Sequence, residues 1–156
     1  MENKLSQSGW RAPAALWALL TLAFWAIQAA VMRAVLTHLS GWGDALALSG
    51  LYGAVYALAL AGVIVLRKPN LRTIAFCGAL TALLMLARVA MLDYETADYT
   101  TFLSQWTQTF RDGGFAMLAE NVGDYNLMYQ YLLLIISRFS LHDLYLIKLF
   151  TVCFDF

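Results

Sequence analysis

Charge is what this chain has least of. Asp, Glu, Lys and Arg supply 13% of its 156 residues, against roughly a quarter in an ordinary soluble domain. The ten acidic and ten basic residues cancel, so no basic surplus points to nucleic acid. Histidine is nearly absent too. His38 and His142 stand far apart and there is no CxxC pair, which leaves a zinc site without support. The two cysteines, Cys77 and Cys153, both fall in apolar stretches and read as lipid-buried thiols, not as a disulfide or metal pair. No glycine-rich phosphate loop follows a strand, so a nucleotide-sugar fold is not expected. What fills the chain is apolar residues, 62% of the whole.

Those residues come in runs of membrane length. Residues 13–32 carry no charge, and about 20 residues suffice for a helix to cross the hydrocarbon core. Pro13 suits a first helical position, where its missing N–H costs nothing. A cleaved signal peptide is the alternative, with Lys4 and Arg11 ahead of the run. The run exceeds the roughly 7–15 apolar residues of such a signal, and further spans follow, which favours an anchor. The second run, Ala45 to Leu66, is also uncharged and carries Ser49, Gly53, Ala57 and Ala61 at four-residue spacing. Small residues so placed form a packing face for another helix. The third run, Thr73 to Leu92, holds one charge, Arg88, a turn from its end. Arg88 either snorkels to the interface or meets an anionic group at the membrane surface.

Basic residues set the expected orientation. Lys4 and Arg11 precede the first span, Arg67, Lys68 and Arg72 occupy the link to the third, and the first loop offers only Arg33. The positive-inside rule then puts the N-terminus in the cytoplasm and residues 93–143 outside the cell membrane. Within that exterior segment Tyr99, Phe102, Leu103, Trp106 and Phe110 recur at helical spacing, while Thr100, Thr101, Ser104, Gln105, Thr107 and Gln108 fill the other side. An amphipathic helix with its aromatic face in the headgroup zone is expected. Gly113-Gly114 is its stop, and Phe115–Glu120 adds a further turn or two. Residues 124–139 hold an apolar core of about ten residues, too short to span, which reads as an interfacial or re-entrant helix. Ser140 to Asp143 resembles a capping box ahead of a last apolar run, 144–156. Lys148 and Asp155 share one face of that run. The abrupt end at Phe156 reads as an N-terminal fragment of a longer membrane protein.

The expected architecture is therefore all-α: multi-pass transmembrane helices with exterior interfacial helices. Four stretches in order carry a resemblance: YETADYTTFLSQW (94–106), GGF (113–115), GDYNLMYQYLL (123–133) and LYLIKLFTVCFDF (144–156). Together they resemble the start of the GT-C fold of membrane glycosyltransferases, in a bacterial mannosyltransferase-like subgroup. The resemblance covers about residues 93–156. Where that subgroup tends to carry proline near its Trp and before its YxYL, this chain has Gln105, Leu127 and Met128. The resemblance divides the chain into an N-terminal extension with two spans, 1–72, and the start of a truncated GT-C-like core, 73–156.

The resemblance implies transfer of a sugar from a polyprenyl-phosphate-linked donor to an acceptor on the extracytoplasmic face. It also implies an exterior aspartate that takes a proton from the acceptor hydroxyl. Asp98, in the acidic-Tyr pair Asp98-Tyr99, is the first candidate. Asp93 and Glu95 are second candidates, as alternate base or as ligands of a divalent cation. Arg88 and Lys148 are candidates to balance the donor phosphate, with Lys148–Asp155 pairing as the structural alternative. Tyr125, Tyr129 and Trp106 are candidates to line a sugar or lipid groove, or to serve as interface aromatics. Capping of the helix near Tyr99 is the plain alternative for Asp98. The competing function is a non-catalytic membrane subunit that packs with partner helices. A transporter is disfavoured because the first two spans are uncharged.

Overall fold

The computed structural model describes residues 3–120 and 122–153, with side chains from Arg11 onward. Every regular element among the described residues is helical. Three helices are long and apolar enough to cross a membrane: Arg11–Val35 within α1 (Asn3–Val35), α2 (Trp42–Arg67) and α3 (Leu71–Val89). The chain forms two compact units. One comprises the chain up to Leu36 with Ser40–Ala90, the other Thr37–Leu39 with the chain from Met91 onward. α3 belongs to the first unit with α1 and α2.

Pro13 is not the first helical residue. α1 begins at Asn3 and carries Pro13 inside it. Proline has no N–H to give the carbonyl one turn back, a loss that the long flanking helix on either side tolerates. α2 buries Ala45, Leu48, Ser49, Tyr52, Gly53, Tyr56, Leu60 and Ile64, a stripe at three- and four-residue spacing. Gly53 faces Trp25 of α1, and a Cβ there would meet the Trp25 side chain at 3.8 Å, an ordinary contact. The small-residue face is thus partly a seat for an indole. Trp17 and Trp25 donate their ring N–H groups to the α2 carbonyls of Ala57 (2.9 Å) and Leu46 (3.3 Å). Phe24 stacks on Tyr56 at 4.4 Å, and the Tyr56 hydroxyl donates to the Gly78 carbonyl of α3 at 3.1 Å. A Cβ on Gly78 would sit 2.8 Å from Leu20, so the three helices close at that glycine. Their outer faces, with Leu19, Leu58, Leu66, Phe76 and Leu83, stay exposed, as a lipid-facing surface requires.

One buried group in this unit lacks a match. Gln28 is fully buried in α1, and neither amide atom has a hydrogen-bond partner in the protein. An unpaired buried amide costs about 1–3 kcal/mol. Gln28→Leu, of similar volume, is expected to raise stability by about that amount, read from thermal unfolding in detergent. A lower melting temperature would show that the amide is paired after all.

The second unit begins after α3. A π turn, Tyr99–Leu103, leads into α4 (Ser104–Gly113), then a 3₁₀ turn, Gly114–Leu118. α5 (Leu127–Ile136) and α6 (Asp143–Cys153) follow. α5 is the short apolar helix expected, ten residues long and opened by Asn126, whose side chain accepts from the Tyr129 N–H. The aromatic face of 99–110 is not laid out for lipid as expected. Tyr99, Leu103 and Phe110 are buried, and Phe110 packs with Leu133 and Leu134 of α5. Thr107, placed on the polar side by its residue type, is buried with its hydroxyl donating to the Leu103 carbonyl at 2.8 Å. A threonine that satisfies itself on its own helix can lie in a core. Arg111 and Arg138 cross between the helix ends. Each gives an N–H at 3.5 Å to a carbonyl on the other's segment, Ser137 and Phe110 respectively.

The expected capping box at Ser140 is not made. α6 opens at Asp143, so Ser140 lies ahead of the cap position. The Asp143 carboxylate accepts instead from the Tyr99 hydroxyl at 2.8 Å and from the Leu144 N–H at 3.0 Å.

Candidate functional site

Asp98 is free of the structural duty that most threatens its candidacy. It makes no cap hydrogen bond. Thr96 does the capping, its hydroxyl oxygen accepting from the Tyr99 N–H at 3.2 Å. Asp98 is exposed, and both carboxylate oxygens lie near the Tyr125 hydroxyl, which donates to them at 3.1 and 3.2 Å. That hydrogen bond, with the carboxylate's charge, pushes the Tyr125 hydroxyl above its ordinary pKa and keeps it a donor.

Behind Tyr125 the rings continue in a row. Its centroid lies 4.8 Å from Tyr129 and 5.3 Å from Trp106, edge to face with the indole. Trp106 in turn is 5.6 Å from Phe102. Trp106 and Tyr129 are anchored against the Phe110–Leu133–Leu134 core, while Phe102 and Tyr125 are exposed. Gly123 makes the arrangement possible. Its φ is +77°, and a Cβ there would stand 2.4 Å from the indole of Trp106. No other residue type lets the backbone turn and the ring lie so close.

The remaining candidates separate from this patch. Asp93 accepts from the Tyr145 hydroxyl at 2.5 Å and from the Thr37 N–H at 2.9 Å. Burial raises the Asp93 carboxyl, but these hydrogen bonds outweigh it and hold the group below its ordinary 3.8. Glu95 lies 3.8 Å from His38 Nε2. Tyr99 is buried, and burial, then the Asp143 contact, raises its hydroxyl pKa. For Lys148 the expected partners are a phosphate or Asp155. Asp155 lies outside the described residues, and the Lys148 ammonium donates to the carbonyls of Met91 (2.7 Å), Leu92 (2.9 Å) and Tyr94. A cation that satisfies three carbonyls of one turn holds that turn closed. Arg88 is exposed in the last turn of α3, where a cation suits the helix C-terminus, and belongs to the other compact unit. Among the described residues no group of three or more His, Cys, Asp and Glu side chains converges as a metal ion would need.

A second polar cluster is one that the sequence did not announce. His38 and His142 stack with centroids 4.3 Å apart and planes 20° apart. The His38 backbone N–H donates to the Tyr145 oxygen at 3.1 Å while Tyr145 donates onward to Asp93. His142 Nδ1 lies 3.4 Å from Asp143. His38 and Tyr145 are 107 positions apart in the chain, and no local pattern joins such residues.

This cluster makes the second unit sensitive to acid. Burial foremost lowers the pKa of His142 from 6.5; Asp143 and Glu95 oppose that, while His38 and Arg111 add to it. A histidine folded in its neutral form contributes stability above its unfolded pKa, and loses it as pH falls through the lowered folded value. Asp93, also depressed, contributes above 3.8 and is lost only in stronger acid. Thermal stability should therefore fall across the pH window that opens at the ordinary histidine value of 6.5 and extends below it, with His142→Gln removing that step and leaving the deeper one. A melting curve flat across that window would exclude it.

Comparison of the chain with protein-family models, with curated proteins and with solved structures finds no match. The architecture defines a class only: an all-helical protein, among the described residues, with three candidate membrane-spanning helices.

Proposed function

We propose that this chain is the N-terminal part of an integral-membrane glycosyltransferase. It transfers a sugar from a polyprenyl-phosphate-linked donor to an acceptor outside the cytoplasm, with Asp98 as the general base. The observation that carries the reading is the exposed Asp98 carboxylate, relieved of capping by Thr96 and joined to Tyr125 within an aromatic row. A base for an acceptor hydroxyl needs an accessible carboxylate with at least one lone pair open to the substrate. Asp98 and Glu95 are both exposed, and Asp98 is the one joined to the aromatic row. Asp93 is taken by Tyr145 and Thr37, and Glu95 faces His38. The basic residues at the N-terminus and in the link between α2 and α3 support a cytoplasmic location for both. The order of spans then supports an extracytoplasmic location for residues 93–143.

The test is sugar transfer in native membranes, with radiolabelled polyprenyl-phosphate sugar supplied from the extracytoplasmic side. Transfer that depends on the protein supports the reading. Equal transfer in membranes with and without it overturns the reading and leaves a non-catalytic membrane subunit.

A further inference from the structure

We infer that the row Phe102–Trp106–Tyr125–Tyr129, with the Asp98 carboxylate on its third ring, is a binding platform for a pyranose sugar. The inference rests on the transferase reading in taking that sugar as the acceptor, whereas the binding itself is measurable without any transfer.

The chemistry of the row selects the ligand. Four aromatic rings in successive contact, at 5.6, 5.3 and 4.8 Å with planes inclined by 35°, 86° and 55°, present ring faces and edges in turn, and the negative face of a ring attracts C–H groups. Two of the rings, Phe102 and Tyr125, are open to solvent. The polar groups gather around Tyr125: the Asp98 carboxylate on its hydroxyl, with Asp124 and Asn126 exposed on either side of it. An acyl chain could cover the rings but would strip water from the carboxylate and hydroxyl and return no hydrogen bond. A free anion would meet Asp98 and be repelled. A pyranose fits both halves. Its axial C–H face lies on a ring, and its hydroxyls donate to the carboxylate and exchange hydrogen bonds with Tyr125.

The platform is also rigid before any ligand arrives. Trp106 is fixed from below by the Phe110 core and from the side by the bare backbone of Gly123. Asn126 fixes the start of α5 by accepting from the Tyr129 N–H at 3.0 Å. Tyr125 is therefore held between a capped helix and a wedged indole, and its ring costs little to order on binding.

The experiment is saturation-transfer NMR on the full chain in lipid nanodiscs, with the methyl glycosides of mannose and glucose as probes. The expected result is transfer to the ring C–H protons of at least one glycoside by the wild type. Tyr125→Ala should bind about tenfold more weakly, as loss of one aromatic contact implies, while Tyr125→Phe keeps the stacking. Gly123→Ala should weaken binding by displacing Trp106. Tyr131→Ala, an exposed ring of α5 outside the row, should bind as the wild type does. No transfer to either glycoside, or equal transfer by Tyr125→Ala, overturns the inference. Sugar binding at the row without sugar transfer in membranes would keep the platform and remove the transferase. Transfer in membranes without a Tyr125-dependent binding signal would do the reverse.

Discussion

Asp98→Asn is expected to lower sugar transfer by about 10²–10⁴-fold, the usual contribution of a positioned general base, without lowering the amount of folded protein. The amide retains an oxygen that accepts from the Tyr125 hydroxyl, now 3.1–3.2 Å from both carboxylate oxygens, so the local geometry survives. What disappears is the capacity to take a proton. The contrast with Asp93→Asn makes the prediction specific. Asp93 accepts from Tyr145 and the Thr37 N–H, and its replacement is expected to lower stability, with any loss of transfer following from that. The measurement pairs initial transfer rates with melting temperatures for both variants. Normal transfer by Asp98→Asn would remove Asp98 from the base role, whatever its stability.

The second large effect is expected at Lys148. Its ammonium donates to three carbonyls, those of Met91, Leu92 and Tyr94. Lys148→Met keeps the aliphatic stem and removes all three hydrogen bonds. A hydrogen bond to a charged group is worth roughly 1.5–3 kcal/mol, and three from one ammonium share their geometry and are not additive. A loss of about 3 kcal/mol is a fair expectation for the set. The turn after α3 should then exchange its amide hydrogens much faster, since the ammonium is what draws those three carbonyls to one point. Hydrogen exchange by mass spectrometry over residues 91–96 reads this directly. Unchanged protection there would show that the turn stands without the ammonium.

The membrane part of the fold was legible because a span leaves a long signature. Some twenty residues with at most one charge fit little besides a helix in hydrocarbon, and all three runs appear as helices within a few residues of their expected ends. The short helix at 127–136 was legible for the same reason, its apolar core being too brief to cross. The faces of the exterior helices were not. Aromatic residues at helical spacing define a stripe, but hydrophobicity does not distinguish lipid from the neighbouring α5 as what covers it, and here Phe110 meets Leu133 and Leu134. At the site, the sequence pointed to Asp98, Trp106, Tyr125 and Tyr129 by resemblance, and the structure brings those four together. The signal for capping was ambiguous between two good capping residues two positions apart. Thr96 and Asp98 both qualify by type, and only the backbone angles decide between them. The His38–His142–Tyr145 cluster lay beyond any local pattern, because it joins segments through tertiary folding.

The link between α2 and α3 has a consequence for how the protein is made. It consists of residues 68–70, with Lys68 in the left-handed conformation at φ 46° and its N–H returned to the Ile64 carbonyl, and with Asn70 accepting from the Thr73 N–H at 2.9 Å. So brief a reversal leaves no slack between the two helices. In a bilayer the two would cross as one hairpin with Arg67, Lys68 and Arg72 together on one side, because carrying any of them through hydrocarbon costs at least about 2.5 kcal/mol each. Neither helix can invert alone.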